Sequence, residues 1–496
     1  MSQLKIILTS LLTGGLAFSG QCAVLWVGVG QTYSSIEAAA TVAMPGDTIR
    51  VKNGVSTQKQ NLINLQGTSS AGIVIEAETT DSVFWRGGNE AWHLTDVAYL
   101  EVAGFVFEQQ KVNGVNIDDG GSYETPSHHV LIRNCTFRDM DASGNNDLLK
   151  LSGLNDFQIR NCLFQNGSEG GSGVDMVGCH RGSFLSNRWE NMGSNCIQAK
   201  GGTQYLVIER NWFENGGGRA LNLGGSTGLQ FFRPIDAPFE AADILVNSNV
   251  IVGADAAVSF TGSVRVEVSN NTIYKPGRWV FRILQETVDT TRFAKCGLGR
   301  FNNNLVVVDD QLSTTVNVGP NTAPETFEIS NNLWHHTDLF VFEPSLPVGE
   351  SNGVYGQKPR LKDEANMDFD LQSTSPAIGK AKSGSVPKVD FLGRSFNSPA
   401  SIGAFEGNPS SSSARNHEEN HIVKVFPNPV HDVLRVSCSG DVDYMHVVDV
   451  VGRDLCQVTW ENQTMVIDTH DYPNFFMIQI GFSDGSTIVK SVVRFK

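Results

Sequence analysis

One short phrase returns along most of this chain. It reads Ile132-Arg133-Asn134-Cys135-Thr136-Phe137, then Ile159-Arg160-Asn161-Cys162-Leu163-Phe164, then Leu185-Ser186-Asn187-Arg188-Trp189 and Ile208-Glu209-Arg210-Asn211-Trp212-Phe213. Later copies centre on Asn249, Asn271, Asn304 and Asn332, and an earlier one has Gly104 in the Asn position. The Asn-to-Asn steps are 27, 26, 24, 38, 22, 33 and 28 residues. Each copy is apolar, polar, Asn, then apolar again. Asn and Gly tolerate the left-handed backbone of a tight turn, and the flanking Ile, Val and Phe favour strands. A repeat of this length with two or three strands is one turn of a parallel solenoid, in which each turn buries its apolar face only against its neighbours. The spacing predicts Asn134, Asn161, Asn187 and Asn211 stacked in one internal ladder. The steps of 38 and 33 mark insertions at 229–240 and 287–299. A leucine-rich repeat does not fit, because the Leu spacing and the helical period are absent.

The 496 residues suffice for one long repetitive domain plus a small one. Charged residues make up 18% and apolar ones 40%, which argues against disorder. The net charge of −15 lacks the basic footprint of a nucleic-acid binder, so no nucleic-acid partner is expected. At the N-terminus, Lys5 precedes an apolar stretch from Ile6 to Phe18 and small residues around Ser19 and Ala23. That apolar stretch is too short to span a bilayer, so residues 1–23 read as a signal peptide. No other long apolar run occurs, so no transmembrane segment is expected. The eight cysteines include no CxxC pair, which leaves no Cys-based zinc site. Cys135 and Cys162 fall on adjacent turns, either as packed thiols or within disulfide reach.

The pattern resembles right-handed parallel β-helix proteins, the architecture of pectate, alginate and chondroitin lyases and polygalacturonases. Tyr33-Ser34-Ser35-Ile36-Glu37 and Pro45-Gly46-Asp47-Thr48-Ile49 look like the first coil, with a short capping helix. Phe369-Asp370-Leu371, Ser375-Pro376-Ala377 and Ile402-Gly403-Ala404-Phe405-Glu406 look like the last coils. The expected fold class is all-β, with the right-handed parallel β-helix over 24–406. A Ser-rich linker follows at 407–420. Residues 421–496 then form a small β-sandwich-like module, opening Val425-Phe426-Pro427-Asn428-Pro429 and ending on a basic strand. This module is similar to the C-terminal sorting domain of type IX secretion in Bacteroidota. The alternative is an immunoglobulin-like binding module. The resemblance implies the type IX machinery as a partner, passage through the periplasm and outer membrane, and a secreted or cell-surface location. A monomer is expected.

Aligned on the Asn of each turn, Lys150, Met176 and Lys200 share one position, with the two lysines ~10 Å apart on one sheet. Leucines flank Lys150, so it points outward, as do Gln198 and Lys200 by the same alternation. Asp175, in Gly173-Val174-Asp175-Met176, falls one step from that position and points inward if its strand is regular. Such a buried charge needs hydrogen bonds, and a bulge at the glycines would turn it outward. His180 follows on the turn. Arg219, after Gly216-Gly217-Gly218, has the planar fork that suits a carboxylate or sulfate. Residues 130–233 hold 10 Lys and Arg against 9 Asp and Glu, although the whole chain is acidic.

β-Elimination from a uronate needs a neutralised carboxylate, a base for the C5 proton and an acid for the leaving oxygen. The resemblance to β-helix lyases implies a Lys and an Arg on neighbouring coils. Lys200 is the expected base and Arg219 the neutraliser, with His180 as the acid and Asp175 beside them. Lys150, Gln198 and Arg233 are the expected substrate contacts, with Phe231 and Phe232 as stacking surfaces on the insertion. Arg278, Trp279, Arg282 and Glu286 would extend the cleft. No cofactor is assigned, with calcium left open as a neutralising metal. The expected partner is an anionic polysaccharide and the expected activity that of a polysaccharide lyase. The alternatives are a C5-epimerase, a glycoside hydrolase using carboxylates such as Asp118, Asp119, Asp147, Asp175 or Glu214, and a non-catalytic glycan-binding surface. Gly224-Gly225-Ser226-Thr227-Gly228 matches GxSxG by letter only, since a nucleophile elbow needs a strand-to-helix turn.

Overall fold

A computed structural model describes residues 22–408 apart from 290. It also describes 423–494 apart from 429, 440–441, 450–453, 459–463, 474 and 483–486. The expected signal peptide and most of the Ser-rich linker lie outside the described residues. The described residues fall into two compact units, one within 1–410 and one within 411–496.

The first unit winds strands into three parallel sheets of 12, 10 and 12 strands, and ten successive coils each contribute one strand to every sheet. In sheet 1, for example, Leu154–Arg160 pairs with His180–Leu185, and that strand with Thr203–Glu209. Strands form because inward Ile, Val, Leu and Phe alternate with outward polar residues. In Leu149–Ser152 the two leucines are buried and Lys150 and Ser152 are not. The interior is one aromatic-rich core in which Phe137, Phe164 and Trp189 stack on successive coils, with ring centroids 4.9 and 4.0 Å apart. The short helix Ile36–Ala40 is capped by the Ser35 side chain and buries Ile36 and Ala39, as expected of a capping helix.

The Asn ladder is real but begins two coils later than expected. It comprises Asn187, Asn211, Asn249, Asn271, Asn304 and Asn332, all buried. The Oδ1 of Asn211 accepts from both the backbone N and Nδ2 of Asn187, at 3.0 and 2.9 Å. The same double bond repeats down the stack and ends on Glu350 Oε1. Asn134 and Asn161 do not belong to it. Both adopt positive φ, 52° each, the seat that Ser186 and Arg210 occupy in later coils. The inward ladder position beside them is taken by Cys135 and Cys162, and the Cys162 N–H donates to Asn187 Oδ1 at 3.0 Å. Asn suits both seats, so the letter alone does not tell them apart. The cysteines are free thiols.

The closing segment also departs from expectation. Asp368–Leu371 pairs antiparallel with Leu361–Asp363 and joins none of the three parallel sheets. With Ala377, Ile402, Ala404 and Phe405 it packs on Val250, Leu305, Val307 and Leu333, the outer face of sheet 3. These residues therefore cover a flank and do not extend the stack, because their apolar positions complement outward Val and Leu there. The second unit has two antiparallel sheets, of three and four strands, around Leu434, Val436, Met445, Phe476, Ile478 and Val492.

Candidate active site

The outward face of sheet 2 carries the candidate chemistry. Its register pairs His93 with Asn116, Asn116 with Lys150, Lys150 with Asp175 and Asp175 with Gln198. These residues form one outward row, at about 4.8 Å per rung. Lys200 lies in the adjacent outward row, paired with Val177, which pairs with Ser152. The two lysines thus do not share a row, and Lys150 faces Asp175, not Met176. Two one-residue differences cause this. Asn161 sits one residue ahead of the ladder seat that Asn187 fills, and the turn Gly201-Gly202 is one residue longer than the turn at Gly178. Asp175 points outward between buried Val174 and Met176, so the regular-strand expectation of an inward Asp175 is corrected.

Asp175 is nevertheless only 1% exposed, because both lysines cover it. Lys150 Nζ lies 3.2 Å from its Oδ2 and Lys200 Nζ 2.9 Å from its Oδ1. The Lys200 contact is close but off the hydrogen-bonding direction, so Oδ1 accepts no hydrogen bond and keeps a lone pair. Lys150 also lies 3.4 Å from Asp147, which is fully buried and accepts the Ser172 N–H. Burial, then the charge of Asp175, raises the Asp147 carboxyl above its usual range. Burial opposes the Lys150 ammonium, yet Asp175 and Asp147 outweigh it and hold its pKa above the usual lysine value. On the same face His93 Nε2 lies 2.6 Å from Asp118 Oδ2.

His93, Asp118, Lys150, Asp175 and Lys200 line one cleft of about 700 Å³. The insertion walls it through Thr227, Phe231 and Arg233. Phe231 is 55% exposed and available for stacking, whereas Phe232 is 2% exposed, packed on Phe293 and under Arg292. Phe232 is therefore no substrate surface. Arg233 makes a two-point ion pair with buried Asp119, at 2.6 and 2.8 Å, and so ties the insertion to a coil 114 residues earlier. Glu240, fully buried, accepts from Gly201 N, Thr227 N and Thr227 Oγ1. It thereby fixes the turn after Lys200 against the cleft wall. The Gly201-Gly202 turn makes room for this loop and not for a sugar: a Cβ on Gly202 would stand 2.5 Å from Arg233 O. Gly225 presses on Gln198 and Lys200 in the same way, with φ +153°. Gln198 adjoins Asp175 but lies under this loop, outside the cleft lining.

Two expected catalytic residues lie elsewhere. His180 is buried, and its Nε2–H donates to Gly202 O and Arg233 O at 3.1 and 3.2 Å. It supports the loop and has no path to a leaving group in the cleft. Arg219 is outside the cleft lining and binds Asn222 Oδ1 and Glu286 Oε1 at 3.1 and 2.7 Å. Glu214 belongs to sheet 3 and pairs with Arg188. His93 was not among the site residues expected from the sequence. The signal for it was the outward alternation in Trp92–Thr95, where Trp92 and Leu94 are buried.

Burial lowers the His180 pKa below the ordinary imidazole value, although its bonds to Gly202 and Arg233 oppose this. Its contribution to stability is therefore present above the unfolded value of about 6.5 and is lost as pH falls through the lowered folded value. Thermal melts of the wild type and His180→Gln should show this. Between about pH 7.5 and pH 5 the wild type is expected to lose more Tm than the variant, which keeps a donor but cannot titrate. Equal losses would mean that His180 is not linked to folding.

Calcium does not fit the cleft. It needs six to eight oxygen ligands, and each cleft carboxylate already has a cationic or imidazole partner. Asp175 has both lysines, Asp119 has Arg233 and Asp118 has His93. Among the described residues the group with metal-ligand spacing is Asp310, His336 and Asp338, far along the chain. There His336 Nδ1 accepts the backbone N–H groups of Asp338 and Leu339, which puts the ring proton on Nε2, towards Asp310.

Residues 89–277 match the family model of the right-handed beta helix region, and residues 424–494 that of the secretion system C-terminal sorting domain. Among solved structures, pectate lyase Pel9A is 15% identical over 79% of this chain and 98% of its own, with a TM-score of 0.53. A rhamnogalacturonan lyase is 12% identical over 73% of this chain and 97% of its own, with a TM-score of 0.45. An alginate lyase from Paenibacillus sp. str. FPU-7 is 15% identical over 66% and 99%, with a TM-score of 0.36. No curated protein matches the sequence. Among the described residues no helix is long and apolar enough to cross a membrane. The chain is a right-handed parallel β-helix protein that carries a secretion-system C-terminal sorting domain, which supports a secreted or cell-surface location.

Proposed function

We propose that the protein is a polysaccharide lyase acting on a uronate-containing glycan by β-elimination. The observation that carries this is the pair Lys150 and Lys200 on either side of Asp175, in an open cleft beside His93 and Asp118. Lys150, held protonated by its two carboxylates, neutralises the uronate carboxylate and the charge that builds on it as C5 loses its proton. Lys200 is the base: it releases its ammonium proton to solvent in the open cleft, and its amine then takes the C5 proton. As the C4–O bond breaks, the leaving oxygen takes a proton from His93, which Asp118 orients. Phe231 offers a face to the sugar ring. A hydrolase would need a carboxylic acid kept protonated near an apolar wall, and here each cleft carboxylate is bonded to a cation or an imidazole. The test is a screen of alginate, polygalacturonate and chondroitin sulfate for the ultraviolet absorbance of a C4–C5 unsaturated uronate. Sugar release without that absorbance would favour hydrolysis and sink the lyase reading.

Export belongs to the same reading, with 407–420 as linker and 421–496 as the sorting module of type IX secretion. Deleting His421 to Lys496 is expected to leave a folded β-helix in the periplasm, because the β-helix unit has a hydrophobic core of its own. Cell fractionation checks this, and normal release of the truncated chain would refute it.

A further inference from the structure

The outward row of sheet 2 continues beyond the cleft through Asn222, Ser259, Arg282 and Asn317. A second row, three residues earlier in each strand, holds Arg219, Ala256 and Trp279. Between the rung of Arg219 and the rung of Arg282 the sheet thus presents only the small side chains of Ala256, Ser259 and Thr261, all fully buried, with Thr261 bonded to Asn222. Arg219 crosses this low floor, and the Arg282 guanidinium stands at its far edge, over Trp279 and against Asn317. Arg219 is held by Glu286. Arg282 donates to Asn317 Oδ1 at 3.0 Å and, among the described residues, makes no ion pair with a carboxylate. Arg278 and Arg282 both lie over the Trp279 ring, at 4.2 and 4.3 Å, and Arg278 approaches Asp255 only to 3.9 Å. Three guanidiniums therefore share two carboxylates. Burial and the Arg219 charge hold the Arg282 pKa below its usual value. Ser259 Oγ, on the floor, has no hydrogen-bond partner. Crowded like charges and an unsatisfied buried hydroxyl both cost stability, and an oxyanion seated among them would offset both.

We propose that Arg219, Arg282 and Ser259 form a second oxyanion subsite, which takes an acidic group of the same polysaccharide that occupies the cleft. This rests on the polysaccharide reading of the cleft. The group is a uronate carboxylate or a sulfate ester, since both offer the fork of a guanidinium two oxygens. Lys150 and Arg282 stand in one row, five rungs apart, or ~24 Å at about 4.8 Å per rung. Only a chain of several sugars reaches both points, and two-point attachment raises affinity through effective concentration. The subsite therefore selects long chains carrying an acidic group at a fixed distance from the cleaved bond.

Titration calorimetry on the full chain tests this, with alginate and polygalacturonate as carboxylate polymers, dextran sulfate as a sulfate polymer and chondroitin sulfate carrying both. The variants are Arg282→Gln, Arg219→Gln with Arg282→Gln, and Arg282→Lys. Arg265→Gln serves as a charge-matched change at an exposed ion pair on sheet 1. On whichever polymers the wild type binds, the double variant is expected to bind about tenfold more weakly, a loss in the range of charged hydrogen bonds. Arg282→Lys should be intermediate, because it keeps the charge but not the fork, and Arg265→Gln should match the wild type. Loss on the sulfate polymer alone identifies a sulfate subsite, and loss on the carboxylate polymers a uronate subsite. An unchanged double variant, or an equal loss in Arg265→Gln, overturns the subsite and leaves the cleft reading standing. A wild type that binds none of the four polymers overturns both. Circular dichroism of each variant verifies that the β-helix is intact.

Discussion

Replacing Lys200 by alanine is expected to lower turnover by about 10²- to 10⁴-fold, the range for loss of a positioned general base. The fold should survive, because Lys200 faces outward from the core and Lys150 still compensates Asp175 through its other oxygen. The decisive companion is Lys200→Arg. It keeps a cation next to Asp175 but cannot give up its proton near neutral pH, so it should be as inactive as the alanine variant. Activity retained by Lys200→Arg would mean that the residue supplies only charge, and would move the base to His93. Lys150→Ala should act differently, raising KM more than it lowers kcat, since Lys150 holds the substrate anion before and during the reaction. Steady-state kinetics on the polymer found by the absorbance screen separates these outcomes.

Asn211→Ala is expected to cost about 3–5 kcal/mol, at the upper end for single substitutions. Its Oδ1 accepts two bonds from Asn187, and its Nδ2 donates to Phe184 O and Asn249 Oδ1, all in the dry interior. The substitution strands several buried polar groups at once, each at about 1–3 kcal/mol, with some relief by relaxation. Asn161→Gly is the contrast. Asn161 sits in the left-handed seat next to the ladder, which glycine adopts freely, so little change is expected. Chemical denaturation of both variants measures the difference. Equal costs would show that the two Asn seats are not distinct.

Local pattern alone carried the coil architecture, since strand alternation and a near-constant repeat admit few other ways to bury these apolar residues. The outward direction of Lys150 was legible in the same way, from Leu149 and Leu151 on either side. So was the short cap at Ile36, from its small apolar helix behind Ser35. The rungs were not legible. One residue more at Gly201-Gly202, and Cys162 instead of Asn161 in the inward seat, moved Lys200 to a neighbouring row and brought Asp175 between the lysines. A one-residue shift hardly alters a repeat of some 25 residues but changes every lateral neighbour, because facing side chains are set by register.

What the sequence by itself determined is therefore the all-β class, the coil and its core face, the insertions, and the sorting module at the C-terminus. Each follows from periodicity or a contiguous motif, which are local properties of the chain. Only the tertiary structure decided which outward residues share the cleft. Arg233 reaches it through Asp119, 114 residues away. His180 turns to backbone carbonyls, Arg219 turns to Glu286, and Phe231 and Phe232, neighbours in the chain, end exposed and buried. These outcomes depend on how an insertion folds back over the sheet, and that is set by ion pairs and packing between distant segments, which no local pattern encodes.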